Sequence, residues 1–296
     1  MTPPRQILPG QTFEISCRTH GRVFRFLPTW QIKQLMLYVL ALGAERYNVS
    51  VYGVVLMANH YHLLGRDNDG VLPDFVRYVN STLARAINAL QGRDDGVWSA
   101  DGYGLLRPQS DEDLVARMVY LMANPVEAGL VRRAVEYPGV VTLPSHVGTS
   151  TVIERPDFFF REGGPTPKQV TLRIEAPPGF GGVEAWRQRI AQGLRECERA
   201  CLKERREAGL GTGGGSKALR VRVGEAPATR EQWFRMRPSI AAREKAVRIA
   251  AIRALRAFRE AYLAAWTRFR DGETDVEFPA GTWWMVRYAG AVGCVP

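Results

Sequence analysis

The sequence predicts an α+β protein in which an antiparallel sheet carries helices on one face. Three observations lead there. Runs rich in β-branched and aromatic residues alternate with segments whose apolar residues recur at helical spacing. Two of the strand-like runs flank a short turn and read as a hairpin. One helix lies between the first strand and that hairpin and another follows it, an arrangement that fits a two-layer protein better than a doubly wound one.

The elements follow in order. Phe13 to Phe26 is rich in β-formers and reads as a first strand bent at Gly21. After Pro28 and Thr29, the stretch from Trp30 to Tyr47 sets Ile32, Leu35, Met36, Val39 and Leu40 at helical spacing. Val49 to Leu56 and His60 to Gly65 read as strands joined by the turn Met57-Ala58-Asn59. Pro73 falls in the first turn of a helix reaching about Leu90, with Phe75, Val79, Leu83 and Ile87 along one face. Trp98 to Leu106 reads as a short strand and turn. Ser110, with Asp113 three residues on, caps a helix from Asp111 to Asn124, and Pro125 follows.

Composition changes near Pro144, which divides the chain into 1–144, 145–181 and 182–296. The middle part is rich in Gly, Pro, Ser and Thr and reads as a linker around a small β element that includes Val170 to Ile174. The last part is basic and mainly helical. Val183 to Ala208 is a charged helix, the run Gly-Thr-Gly-Gly-Gly-Ser at 211–216 is a flexible loop, and Ser239 to Phe269 is a long helix. Thr282 to Tyr288 reads as an aromatic strand after a turn at Pro279-Ala280-Gly281.

A net charge of +10 over 296 residues favours a polyanionic partner, because each neutralised phosphate releases counterions. Charge alone does not separate nucleic acid from an acidic protein or a membrane surface. No apolar run approaches the roughly 20 residues that span a bilayer, so no membrane partner is expected. Four scattered cysteines fit a reducing cytoplasm better than a disulfide framework. Cys197 and Cys201, four apart on a helix without partnering His or Cys pairs, read as packing residues rather than a zinc site.

Two constellations carry chemistry. On a strand, His60 and His62 share a face, and two imidazoles so placed are able to grip one divalent cation. An isolated His-x-His is as readily one surface histidine and one core histidine; here two of only four histidines fall within three residues. On the later helix, Leu114, Val115, Met118, Val119 and Met122 form an apolar arc. Tyr120 lies outside it, on a polar stripe with Asp113, Arg117 and Asn124. A hydroxyl nucleophile beside a polar metal ligand requires that placement, and an ordinary amphipathic tyrosine permits it too.

Together, Met-x-Asn-His-x-His-Leu at residues 57–63 and, about sixty residues later, Tyr-Leu-x-x-Asn-Pro-Val-x-Ala-Gly-Leu-Val at 120–131 resemble single-tyrosine HUH transposases, and within them the REP-associated tyrosine transposase branch. The resemblance covers residues 5 to 140. It implies a ferredoxin-like sheet (the HUH fold) with the His-x-His strand central, and a metal-dependent transposase and endonuclease. His60 and His62 would hold Mg²⁺ or Mn²⁺, Asn124 matches a third ligand, and Tyr120 matches the nucleophile. The implied substrate is single-stranded DNA with palindromic hairpins, cut and rejoined through a 5′-phosphotyrosine in the nucleoid-associated cytoplasm by a monomer or homodimer. Ala58 stands where the family usually has proline, Tyr61 where it has an aliphatic residue, and the C-terminal half extends well past the shared region.

The region from Arg235 to Arg270 holds ten basic residues and two acidic ones, Glu244 and Glu260. Its Arg248, Arg256 and Arg259 are candidates for tracking a phosphate backbone, as are Arg18, Arg22 and Arg25 on the first strand and Arg117 beside the tyrosine. A solvated face kept positive for solubility has the same composition. Trp98 and Tyr103 are of a type that stacks on unpaired bases, though core packing accounts for them as well. The competing function class is a non-catalytic DNA- or RNA-binding protein, which would not need His60, His62, Tyr120 and Asn124 together.

Overall fold

The computed structural model describes residues 3–212, 219–228 and 238–293. Cys294 and most of the glycine run at 211–216 lie outside the described residues. Strand β1 (Gln11–Arg18), helix α1 (Trp30–Arg46), strands β2 (Val49–Met57) and β3 (His60–Asp67), helix α2 (Leu72–Gln91) and strand β4 (Gly104–Pro108) follow one another in the first third of the chain. The four strands lie side by side in the order β2-β3-β1-β4, with each neighbouring pair antiparallel. Two short strands extend the edges: β5 (Val140–Val141) runs antiparallel to β2, and β8 (Ile240–Ala241) runs parallel to β4. The result is a mixed α+β protein on a six-stranded, mostly antiparallel sheet.

Both faces of this sheet are covered, which corrects the expectation of helices on one face. Tyr61 hydrogen-bonds Asn80 of α2, so its face of β3 meets α2, and α1 packs on α2 where Gly43 approaches Phe75 and Val79. The opposite face belongs to α3 (Asp111–Glu127): Gly53 of β2 lies directly under Met118. The physical sign was continuity rather than alternation, since β2 is buried at every residue from Val51 to Met57. Strands enclosed on both faces read as unbroken apolar runs. Helix α4 (Val183–Glu207) then packs on the outside of α3, with Gly193 against Val119.

Several boundaries differ from the sequence pattern for local reasons. Strand β1 stops at Arg18, because Gly21 and Arg22 adopt positive φ and the chain turns back over the β2–β3 turn. Thr19, Arg25 and Phe26 donate backbone N–H groups to the carbonyls of Asn59 and Ala58 there. Helix α3 continues through Pro125 to Glu127. It ends where Gly129 takes φ +67° and the N–H groups of Ala128 and Leu130 reach back to Asn124 and Pro125.

Strands β6 (Thr149–Glu154) and β7 (Gln169–Ile174) form an antiparallel hairpin whose Ile153, Val170, Leu172 and Ile174 join the main buried cluster. The long basic helix, α5 (Lys245–Arg270), begins after β8 rather than at Ser239, because Ser239 and Ala241 accept hydrogen bonds from the edge of β4 and the segment beyond it. Trp284–Tyr288, expected as strand, is a short helix, α6, that buries Met285 and leaves Trp284 59% exposed. It closes a second apolar cluster with Ala265, Val276 and Phe278, next to strands β9 (Glu277–Phe278) and β10 (Val292–Gly293). Among the described residues no helix is long and apolar enough to cross a membrane.

The close approach of β3 to β2 makes one position decisive for register. A Cβ on Gly65 would stand 2.4 Å from the Ser50 carbonyl oxygen and 3.2 Å from the Phe13 ring. Gly65→Ala is expected to destabilise the fold by about 3 kcal/mol, as overpacking against backbone does. Urea denaturation would show a lower midpoint at unchanged slope, and a midpoint equal to wild type would contradict the register.

Candidate functional site

The site forms where β3, β1 and α3 meet. Strand geometry sends His60 and His62 to the α3 face, with ring centroids 5.3 Å apart and planes at 85°. Helix α3 is started by Ser110, whose hydroxyl accepts the Asp113 N–H, and its apolar side seals onto β2. That orientation carries Tyr120 over the histidines, its ring centroid 5.4 Å from His62 at 84°. Residues separated by about sixty positions are thus brought together within one chain.

Beneath them lies a carboxylate that the sequence reading did not select. Glu14 on β1 is only 4% exposed. Its Oε1 lies 2.9 Å from His62 Nδ1 and 2.8 Å from Arg117 Nη2, and Arg117 Nε donates to its second oxygen. Arg117 in turn places its guanidinium carbon 4.2 Å from the centroid of the Tyr120 ring. Burial by itself would raise the Glu14 carboxyl, but the hydrogen bonds from His62 and Arg117 and the charge of Arg117 outweigh it and hold the group below its ordinary value of 4.5. The available signal was a carboxylate at the centre of an apolar strand, between Phe13 and Ile15.

The hydrogen bonds also fix the imidazole tautomers. A carboxylate only accepts, so His62 donates from Nδ1 to Glu14. Asn59 donates its Nδ2 to the Arg22 carbonyl, which leaves Oδ1 as the atom 2.8 Å from His60 Nδ1. Both rings therefore donate from Nδ1, which in the neutral imidazole leaves Nε2 as the lone-pair nitrogen, the arrangement in which histidines ligate divalent metals. Asn124, one turn beyond Tyr120 on α3, is buried at 7% exposure and offers an amide oxygen. Imidazole nitrogen and amide oxygen are both donor types that a divalent cation accepts.

Two measurable consequences follow from Glu14. Glu14→Ala strands Arg117 and His62 without their shared partner and is expected to cost about 3 kcal/mol in urea denaturation; a change below about 1 kcal/mol would contradict the network. Because the Glu14 carboxyl is depressed in the fold, its contribution is complete above the ordinary carboxylate value of 4.5 and fades as pH falls through the lower, folded value. Wild type should lose more stability than Glu14→Gln between neutral pH and that acid range.

The other residues singled out by sequence are scattered. Arg18 faces His60 across β1–β3, and Arg22 lies in the turn beside it, so both border the histidine end of the sheet. Arg25 is 4% exposed and ion-paired with Asp95, which places it inside the fold rather than on a surface. Arg117 serves Glu14. On α5, Arg248 and Arg256 are exposed, while Arg259 is half-buried with its Nε enclosed. Tyr61 does not face outward: it is fully buried, bonded to Asn80 and Cys17, and burial pushes its phenol well above 10. Trp98 packs on Phe26 and Tyr61 and donates to the Asn80 carbonyl, and Tyr103 lies under Arg5.

No protein family and no curated protein matches the sequence. Among solved structures, the chain is similar to a REP-associated tyrosine transposase bound to a REP hairpin, at 17% identity and TM-score 0.39, over 46% of this chain and 78% of that one. It is also similar to a candidate transposase from Deinococcus radiodurans R1, at 18% identity and TM-score 0.30, over 42% of this chain and 97% of that one. Likenesses this distant leave the functional reading to the side chains themselves.

Proposed function

We propose that the chain is a metal-dependent single-tyrosine HUH transposase that cleaves and rejoins single-stranded DNA at palindromic hairpins, on a ferredoxin-like sheet within residues 1–144. The observation that carries this is the meeting of three rings from two distant segments, His60, His62 and Tyr120, at centroid separations of 5.3 and 5.4 Å. His60, His62 and Asn124 are the residues that would hold Mg²⁺ or Mn²⁺. When bound, such an ion polarises the scissile phosphodiester as a Lewis acid.

The chain's own residues supply the rest. Tyr120 Oη attacks phosphorus, an O–P bond forms to the tyrosine, and the bond to the 3′-oxygen breaks. The phenolic proton is lost to solvent and the departing oxygen takes one up, leaving a free 3′-hydroxyl and a 5′-phosphotyrosine. A second 3′-hydroxyl reverses the step and rejoins strands without ATP. Arg117 holds its positive charge over the face of the Tyr120 ring, where it would favour the phenolate over the phenol. Glu14 holds His62 in its ligating tautomer and Arg117 against the ring, so it acts as a positioning residue. Tyr120 serves the site of its own chain.

The experiment is a denaturing-gel assay with labelled hairpin oligonucleotides taken from palindromes near the gene, in Mn²⁺ and in EDTA. A covalent protein–DNA band in Mn²⁺ alone is expected. Tight hairpin binding without any such band would give the non-catalytic binder instead. Exposed Arg248 and Arg256 extend the phosphate-tracking surface onto α5. Replacing both with alanine should make the log–log salt dependence of hairpin binding shallower by about 1.4 to 1.8. An unchanged slope would remove α5 from the interface.

A further inference from the structure

Between α3 and α4 lies an open cleft of about 630 Å³ lined by Val119, Tyr120, Glu127, Gly193 and Cys197, among others. At one end of it the side chains of Glu127, Cys197 and Cys201 converge, with their ligand atoms all within 4.8 Å of one another. We propose that these three residues form a second metal site, for a thiophilic divalent cation of the Zn²⁺ type, which ties the end of α3 to α4.

The distances are those a tetrahedral centre asks for. With Zn–S near 2.3 Å and Zn–O near 2.1 Å, two thiolates about one ion stand about 3.8 Å apart and a thiolate and carboxylate oxygen about 3.6 Å. Cys197 Sγ lies 4.0 Å from Cys201 Sγ and 3.9 Å from Glu127 Oε1. Shifts of a few tenths of an ångström bring Cys197 to these separations from both partners, and the third edge, Cys201 to Glu127, is already within 4.8 Å. The spacing has a simple origin: residues four apart on α4 share a face, and the last turn of α3 presents its carboxylate to that face. Two sulfur ligands select Zn²⁺ over the Mg²⁺ or Mn²⁺ suited to the histidine site.

The cluster is also rich in negative charge. Burial raises the Glu127 carboxyl above its ordinary value, and the charges of Arg117 and His62 offset that only in part. Burial, the facing Cys201 and the carboxylates of Glu127 and Glu198 push the Cys197 thiol up to about 12. Glu204, one turn past Cys201, adds negative potential felt by both Cys201 and Glu127. A divalent cation relieves that concentration and draws the thiols into thiolates. Sequence alone separated the two cysteines from their third partner by seventy positions. Tyr120 and Glu127 are two turns apart on α3, so an ion here holds the helix that bears Tyr120.

The test uses the full, reduced, metal-stripped protein titrated with Co²⁺ and then Zn²⁺. A thiolate-to-cobalt charge-transfer band is expected to saturate at one equivalent, to be displaced by Zn²⁺, and to persist when His60 and His62 are both alanine. That persistence keeps the site distinguishable from the catalytic reading, which stands or falls on the DNA adduct. Cys197→Ser and Cys201→Ser should each lose the band and weaken Zn²⁺ by more than about 100-fold, given that partners one shell further out already cost about 10- to 100-fold. Glu127→Gln should keep a shifted band at reduced affinity, which serves if a serine variant fails to match the circular dichroism of the wild-type apoprotein. Absence of the band in wild type, or its survival in both serine variants, would overturn the proposal.

Discussion

Tyr120→Phe is expected to bind hairpin DNA as wild type does and to form no covalent adduct, a loss of at least about 10⁴-fold in single-turnover cleavage. The substitution removes one oxygen and keeps the ring. The contacts that position the ring, Arg117 at 4.2 Å and His62 at 5.4 Å between centroids, are made by its face and edge and survive. Folding stability should therefore change by no more than about 1 kcal/mol, the net worth of one hydrogen bond. Tyr61→Phe is the informative contrast. It removes a phenol bonded to Asn80 at 2.7 Å and to Cys17 at 3.1 Å, and is expected to cost about 1–2 kcal/mol of stability while leaving strand cleavage intact. An adduct formed by Tyr120→Phe, or a cleavage defect confined to Tyr61→Phe, would place the nucleophile elsewhere.

The second large effect is expected from the histidines. His60→Ala should reduce Mn²⁺-dependent cleavage by about 10³-fold or more and leave hairpin affinity within about twofold, because under the proposed function its ring would hold the metal and take no part in tracking the DNA. His62→Ala should do the same and also destabilise the fold, since Glu14 and Arg117 lose the ring that completes their network. Cleavage rate as a function of Mn²⁺ concentration, set beside hairpin binding in EDTA, separates these effects. Equal losses of binding and cleavage for His60→Ala would contradict a role confined to the metal.

What the sequence made legible was local. Period-two alternation put His60 and His62 on one face of a strand, and the helical period put Tyr120 and Asn124 on one stripe. The β2–β3 hairpin and the helices α1 and α2 followed from the same periodicities. Hidden were the facts set by tertiary pairing. Nothing near Glu14 says that it will meet Arg117, more than a hundred residues away, or that α3 will cover the face opposite α1 and α2. The positive-φ turn at Gly21 and Arg22 cut β1 short, and Gly129, not Pro125, ended α3. In the C-terminal region, aromatic residues from Thr282 to Tyr288 read as strand because composition outweighed a five-residue pattern that buries Met285 alone.

The most direct measurement is mass spectrometry of the trapped adduct. Trypsin releases Met118 to Arg132 as one peptide, in which Tyr120 is the single tyrosine. After incubation of the full chain with hairpin DNA and Mn²⁺, followed by nuclease and trypsin, that peptide should carry a 5′-linked nucleotide on Tyr120, and the modification should vanish when His60 or His62 is alanine. A nucleotide attached to any other peptide, or an unmodified Tyr120 in protein that holds both hairpin and Mn²⁺, would contradict the account.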